Sequence, residues 1–351
     1  VVKRYLTWNG KDERFKYLNI WTEFPNTDYW DRSDNAFKKF WAKAYKSLKG
    51  EFGQLMIGGP GFSEKVTRAV MVGSGDVAEQ WLSQLYDEKL KLDWIGWHLY
   101  SNDPQEFLKS ANGFDELLKG VGKFSDVPWA GSGFFDDTEQ IVDAWGNTPK
   151  MITFGGEWEF MEVPEVNRVY NRKEGAAMLT ASWIAMQHSS VKRAFYDRFA
   201  DPKSDPTVNP NADNTMLSMI GGKGLFYGDG VGTYKRSAHA VRLWARMVDD
   251  YSQELPCEAK VKIEGATGVH RLWVLSGRSP DGHKAILISN PNKLTVRWMV
   301  RFGESKVMAN SFSDVAIYQV DSTNDGRDAF SYQEGAFEIP SNSIQLVVLK
   351  P

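Results

Sequence analysis

The chain has 351 residues, enough to bury a large core in one big domain or in a big domain plus a small one. With 42% hydrophobic and 25% charged residues it is globular rather than disordered. A net charge of −3 with no Lys/Arg run excludes a nucleic-acid surface or a polybasic anchor as the basis of function.

Cys257 stands alone, so no intrachain disulfide and no Cys-based metal site is expected. His98, His188, His239, His270 and His283 show no metal-ligand spacing, and Gly228–Gly232 (GDGVG) lacks the ending of a phosphate loop. Neither a metal nor a cofactor is therefore expected. No apolar run reaches the ~18 residues of a membrane helix. The compartment stays open, with a secreted or periplasmic one preferred. The 14 Trp, 13 Tyr and 20 Phe suit either a large core or flat platforms for the C–H faces of sugar rings.

In chain order, Phe15–Trp21 reads as a buried strand. Ala36, Phe37, Phe40, Trp41, Ala44, Tyr45 and Leu48 follow at helical spacing, with Gly50 as a stop. A strand at Gln54–Ile57 leads into the loop Gly58–Ser63, then a helix at Val77–Lys89 and a strand at Leu92–Leu99. Asp103–Lys123 is helical in pattern, and Thr138–Trp145 continues the outer layer. Lys150–Phe154 reads as a strand, Ala176–Gln187 as a helix, Val191–Tyr196 as a strand and Tyr234–Tyr251 as a long helix. Asp201–Asn214 is a polar, Pro-rich loop. Strands separated by helices imply parallel βαβ units. From about Pro256 the pattern turns to short β-rich segments divided by Gly, Pro, Asn and Asp, which predicts a small antiparallel β-sandwich. The expected domains are residues 1–255 and 256–351.

Two glutamates stand just past expected strands: Glu23 after Phe15–Trp21, and Glu157 after Lys150–Phe154. They are 134 residues apart, which fits three βα units and sets them across the mouth of a barrel. Hydrolysis of a glycosidic bond with retention needs two carboxyl groups about 5–5.5 Å apart, one attacking and one protonating the leaving oxygen. Glu159 competes with Glu157 for the second place. His98 and Tyr100 share one face of their strand, with Trp97 and Leu99 on the other. An inward His98 either orients a carboxylate, touches a sugar hydroxyl or is a satisfied core histidine. Tyr196, Trp21, Trp30 and Trp158 divide between sugar platform and core.

These residues resemble the motifs of clan A glycoside hydrolases, and within the clan are most similar to family 39. That family has W-N-E-P-N after strand four, G-G-P after strand five, H-x-Y after strand six and T-E-W after strand seven. Trp21, Glu23 and Asn26 match the first motif and Gly58–Pro60 the second; His98 with Tyr100 match the third, and Glu157 with Trp158 the fourth. The last helix and the ending SIQLVVLKP also look like that family's tail. The resemblance implies a (β/α)8 TIM barrel, of which strands four to eight lie in this chain, followed by an antiparallel β-sandwich. It implies Glu23 as acid/base and Glu157 as nucleophile, with Trp21, Thr22, Asn26, His98, Tyr100, Trp158 and Tyr196 against a carbohydrate substrate.

Thr22 stands where the clan usually has Asn, and Phe24 where it has Pro. A Thr hydroxyl offers less than an amide to a sugar 2-OH. Five parallel strands do not close a barrel. The resemblance therefore implies three more βα units, on the order of 100 residues, in an N-terminal segment or a separate chain. The alternatives are a five-stranded fold of another kind and a non-catalytic carbohydrate-binding or scaffold protein on a degenerate barrel.

Overall fold

The computed structural model describes residues 16–146, 172–197, 224–226, 234–262, 271–302, 305–307, 314–331 and 337–350. The chain forms two compact units: one of Val1–Ser101, Gln105–Trp145 and Met186–Tyr196, and one of Asn102–Pro104, Gly146–Ala185 and Asp197–Pro351.

The first unit is built on a parallel sheet whose five described strands run in chain order: β1 (Tyr17–Asn19), β2 (Met56–Gly58), β3 (Trp94–Tyr100), β4 (Glu139–Gly146) and β5 (Val191–Tyr196). Helices α1 (Asp34–Glu51), α2 (Glu64–Val72), α3 (Asp76–Asp87) and α4 (Pro104–Lys119) connect the strands. Ser33 caps α1 by accepting from the Ala36 N–H, and Phe37, Trp41 and Tyr45 recur on its buried face. Trp41 meets Trp81 of α3 edge-on at 5.0 Å, and Trp97 of β3 stacks on Phe114 of α4 at 5.6 Å. The outward face of β3 thus carries the aromatic core, which leaves Gly96 and His98 on its inward face.

The sheet curls. Tyr17 of β1 donates to Glu139 of β4 at 3.0 Å, and the Arg193 guanidinium of β5 lies 4.6 Å from the Tyr17 ring centre. Inward side chains from the two edge strands therefore meet across the concave face, as they do inside a barrel.

β4 corrects the sequence reading, which set Thr138–Trp145 in the outer layer. In EQIVDAWG the apolar Ile141, Val142 and Trp145 fall at i, i+1 and i+4, a helical spacing, whereas in a strand only Ile141 and Trp145 share a face. Pairing with β5 decides for the strand, with two register shifts along the ladder. The strand expected at Lys150–Phe154 and the loop at Asp201–Asn214 lie outside the described residues.

The second unit carries helices α5 (Lys173–Gln187) and α6 (Arg236–Asp250) and two antiparallel sheets. The six-stranded sheet contains β6 (Gln253–Glu254), β8 (Trp273–Arg278), β9 (Lys284–Asn290), β12 (Asp314–Val320), β13 (Asp325–Ser331) and β15 (Ser343–Lys350). The four-stranded sheet contains β7 (Cys257–Lys262), β10 (Val296–Phe302), β11 (Ser305–Val307) and β14 (Phe337–Ile339). Alternation along β15 shows why its sequence is an unbroken apolar run. Ile344, Leu346 and Val348 pack with α5 and α6, while Val347 and Leu349 face Val296, Trp298 and Phe337 of the smaller sheet.

Candidate active site

Glu23 leaves the end of β1 in the left-handed backbone region (φ 52°), one of three described non-glycine residues with positive φ. Such a conformation costs on the order of 1 kcal/mol or more and persists only where its surroundings impose it. Phe24 is part of those surroundings. It is buried, stacks on Phe37 at 4.0 Å, and its carbonyl accepts from the Ser63 N–H at 3.1 Å. The residue that departs from the family pattern is therefore an anchor for the loop. The Asn26 N–H closes a turn onto the Glu23 carbonyl at 2.7 Å, and the Asn26 side-chain amide donates to Glu23 Oε2 at 3.1 Å.

His98 lies inward on β3 and is 4% exposed. Its Nδ1 is 3.3 Å from Glu23 Oε1, and its Nε2 is 3.4 Å from Oδ1 of Asp143 on β4. Asp143 Oδ2 accepts from Asn19 Nδ2 of β1 at 2.8 Å. Asp143 Oδ1 is buried and receives no well-aligned hydrogen bond among the described residues, so its link to His98 is an ion pair. Burial pulls the His98 pKa down, but Asp143 and Glu23 more than offset it and raise the value to about 9. With Glu23 ionised, His98 is accordingly an imidazolium between two carboxylates at neutral pH. The Glu23 side chain is 29% exposed and that of Asp143 12%, so Glu23 is the carboxylate more open to a ligand.

The remaining candidates are distributed around this cluster. Trp21 and the exposed Thr22 line an open cavity of about 530 Å³ together with Asn19, Asp28 and Tyr29. Trp21 also meets Trp30 edge-on at 5.4 Å. The Tyr100 carbonyl accepts from Arg68 at 3.0 Å, and Arg68 in turn binds Glu64 and Glu106, which fixes the end of β3. Tyr196 packs edge-on against Trp145 at 5.3 Å. Glu157 and Trp158 lie outside the described residues. Among the described residues no group of three or more His, Cys, Asp and Glu is arranged to hold a metal ion.

Sequence reasoning missed Asn19 and Asp143. The signal was present in the Gly-rich loop and in β3. A Cβ on Gly61 would lie 2.6 Å from Asp143 Oδ2, one on Gly96 3.0 Å from the same atom, and one on Gly59 next to the Asn19 side-chain oxygen. These glycines mark a crowded polar centre.

A strand-end carboxylate on the concave side of a curled parallel sheet is an arrangement found in barrel enzymes. Solved glycoside hydrolases share the fold. A glucosidase from Croceicoccus marinus matches with a TM-score of 0.54 and 18% identity, over 93% of this chain and 67% of its own. The GH51 arabinofuranosidase from Xanthomonas axonopodis pv. citri matches at 0.53 and 13% identity, over 97% and 68%. BuGH86wt in complex with neoagarooctaose matches at 0.52 and 11% identity, over 94% and 50%. The chain thus spans between half and about two thirds of these proteins. No family model and no curated protein matches the sequence.

Proposed function

We propose that the chain is the larger part of a retaining glycoside hydrolase of clan A, most similar to family 39. The observation that carries this reading is the Glu23 carboxylate, strained in backbone and held by Asn26 and His98 at a strand end of a fold shared with glycoside hydrolases. Glu23 is the acid/base and Glu157 the nucleophile, with Trp21, Thr22, Asn26, His98, Tyr100, Trp158 and Tyr196 around the sugar. β1 to β5 are strands four to eight of a (β/α)8 barrel over residues 1–255, β4 taking the seventh place that the sequence reading gave to Lys150–Phe154, with residues 256–351 as the accessory sandwich. An N-terminal segment or a separate chain supplies the remaining strands. A secreted or periplasmic location belongs to the same proposal; no helix of the described residues is long and apolar enough to cross a membrane.

In the first step protonated Glu23 gives its proton to the leaving glycosidic oxygen while the Glu157 carboxylate bonds to the anomeric carbon. In the second, Glu23, now a carboxylate, takes a proton from water as the water oxygen displaces Glu157 and restores the original anomeric configuration. Labelling with a fluorosugar inactivator and mass measurement of the peptides tests this: the expected adduct is on Glu157. Turnover in Glu157→Gln equal to wild type would overturn the assignment. Sugar binding with no adduct and no turnover would favour the carbohydrate-binding reading.

A further inference from the structure

We propose that Asp143 is a positioning residue of this site: through His98 it fixes the Glu23 carboxylate, and Asn19 fixes Asp143 in turn. The inference deepens the hydrolase reading and rests on it for its catalytic consequence. Its geometric basis is a continuous line of side chains: Glu23 Oε1 at 3.3 Å from His98 Nδ1, His98 Nε2 at 3.4 Å from Asp143 Oδ1, and Asp143 Oδ2 at 2.8 Å from Asn19 Nδ2.

Both ring nitrogens of His98 face carboxylate oxygens. A neutral imidazole carries one N–H and one lone pair, so either tautomer would set a lone pair against an anion. With Glu23 ionised, only the imidazolium satisfies both contacts, and it does so inside a buried centre where the charges are weakly screened. Glu23 from the β1 loop and Asp143 from β4 are the charged groups that face His98 among the described residues; Gly61, from the loop after β2, brings none. Removing Asp143's charge leaves the cation with one partner, and removing both leaves a buried histidine that burial holds neutral.

The consequence for the reaction concerns the proton donor. When Glu23 gives up its proton it becomes an anion, and an imidazolium already aimed at Oε1 stabilises that anion without reorganising. Asp143 keeps the imidazolium charged and in place. Asp143 acts through His98 and its side chain is only 12% exposed, so on this reading its loss reduces kcat while KM changes little.

The test follows His98 directly, by the NMR titration of its carbon-bound ring protons. The expected midpoint in the wild type is about 9. Asp143→Asn lowers it by at least about one pH unit, and Glu23→Gln leaves it above the ordinary value of about 6.5 because Asp143 remains. An ordinary midpoint in the wild type, an unchanged one in Asp143→Asn, or an ordinary one in Glu23→Gln overturns the proposal. Should Asp143→Asn not fold, the wild type and Glu23→Gln still decide it. Failure of the wild type to hydrolyse any glycoside would sink the hydrolase reading but would leave this titration unaffected.

Discussion

Asn19 on β1 donates a hydrogen bond of 2.8 Å to Asp143 on β4, although β2 and β3 lie between their strands in the sheet. In a flat sheet, three inter-strand steps would hold them about 14 Å apart. Curvature alone brings them together, and it does so at the level where Glu23 and His98 also meet. The same curvature that shapes a barrel thus assembles a four-residue polar cluster from strands β1, β3 and β4 and the loop after β1.

Gly61 has no room for a side chain. Its φ is +61°, and a Cβ would sit 2.6 Å from Asp143 Oδ2. Gly131 has a similar φ of +68° but nothing within 4 Å. Gly131→Ala should therefore cost only the left-handed backbone penalty, roughly 1 kcal/mol. Gly61→Ala adds displacement of Asp143 and should cost about 2–4 kcal/mol. Urea unfolding midpoints compare the two; equal losses would mean that the Asp143 carboxylate yields freely.

His98 makes stability depend on pH in one direction. Its folded-state pKa is raised to about 9 from an unfolded value of 6.5. The protonated form is thus favoured by folding, and its contribution is fully present below about pH 6.5 and lost as pH rises through about 9. The contacts of 3.3 and 3.4 Å are long, so the contribution is on the order of 2–3 kcal/mol. Unfolding free energies measured from pH 6 to pH 10 should show that decline, and His98→Gln should flatten it.

Much of this was legible in sequence. Val191–Tyr196 is a strand with the bounds the sequence predicts, and α5 and α6 lie within three residues of the helical patterns at each end. Glu23, singled out by strand-end position, His98 by its strand face and Asn26 by the resemblance do come together. β4 was not legible, because Ile141, Val142 and Trp145 are spaced as on a helix face, and Asp143 was lost with it. Asn19 was passed over as an interior residue of a short strand. Its partner is remote in sequence, and local pattern carries no information about curvature.

Two buried tryptophans should respond differently to the same substitution. Trp97 and Trp129 are 0% and 1% exposed. The Trp129 indole N–H donates to the Leu117 carbonyl at 2.9 Å, whereas that of Trp97 has no hydrogen-bond partner among the described residues. Replacement by Phe removes similar volume from both, but only Trp129→Phe breaks a buried hydrogen bond. Trp129→Phe should be the more destabilising by about 1 kcal/mol in urea unfolding; equal effects would mean that cavity formation dominates both.

The cavity lined by Trp21, Thr22 and Tyr29 predicts a separation of binding from chemistry. Tyr29 lines it together with Asn19, Trp21, Thr22 and Asp28 and is 52% exposed, so its ring is open to a ligand. On the hydrolase reading its ring face is a platform for a sugar C–H face, with Trp21 as the adjoining wall. Such a contact acts on the bound substrate and on the transition state alike. Tyr29→Ala should therefore raise KM by roughly tenfold with kcat within about twofold, and Tyr29→Phe, which keeps the ring face, should restore most of the loss. A fall in kcat with KM unchanged would place Tyr29 in transition-state stabilisation instead, and equal kinetics in Tyr29→Ala would remove the cavity from the substrate path.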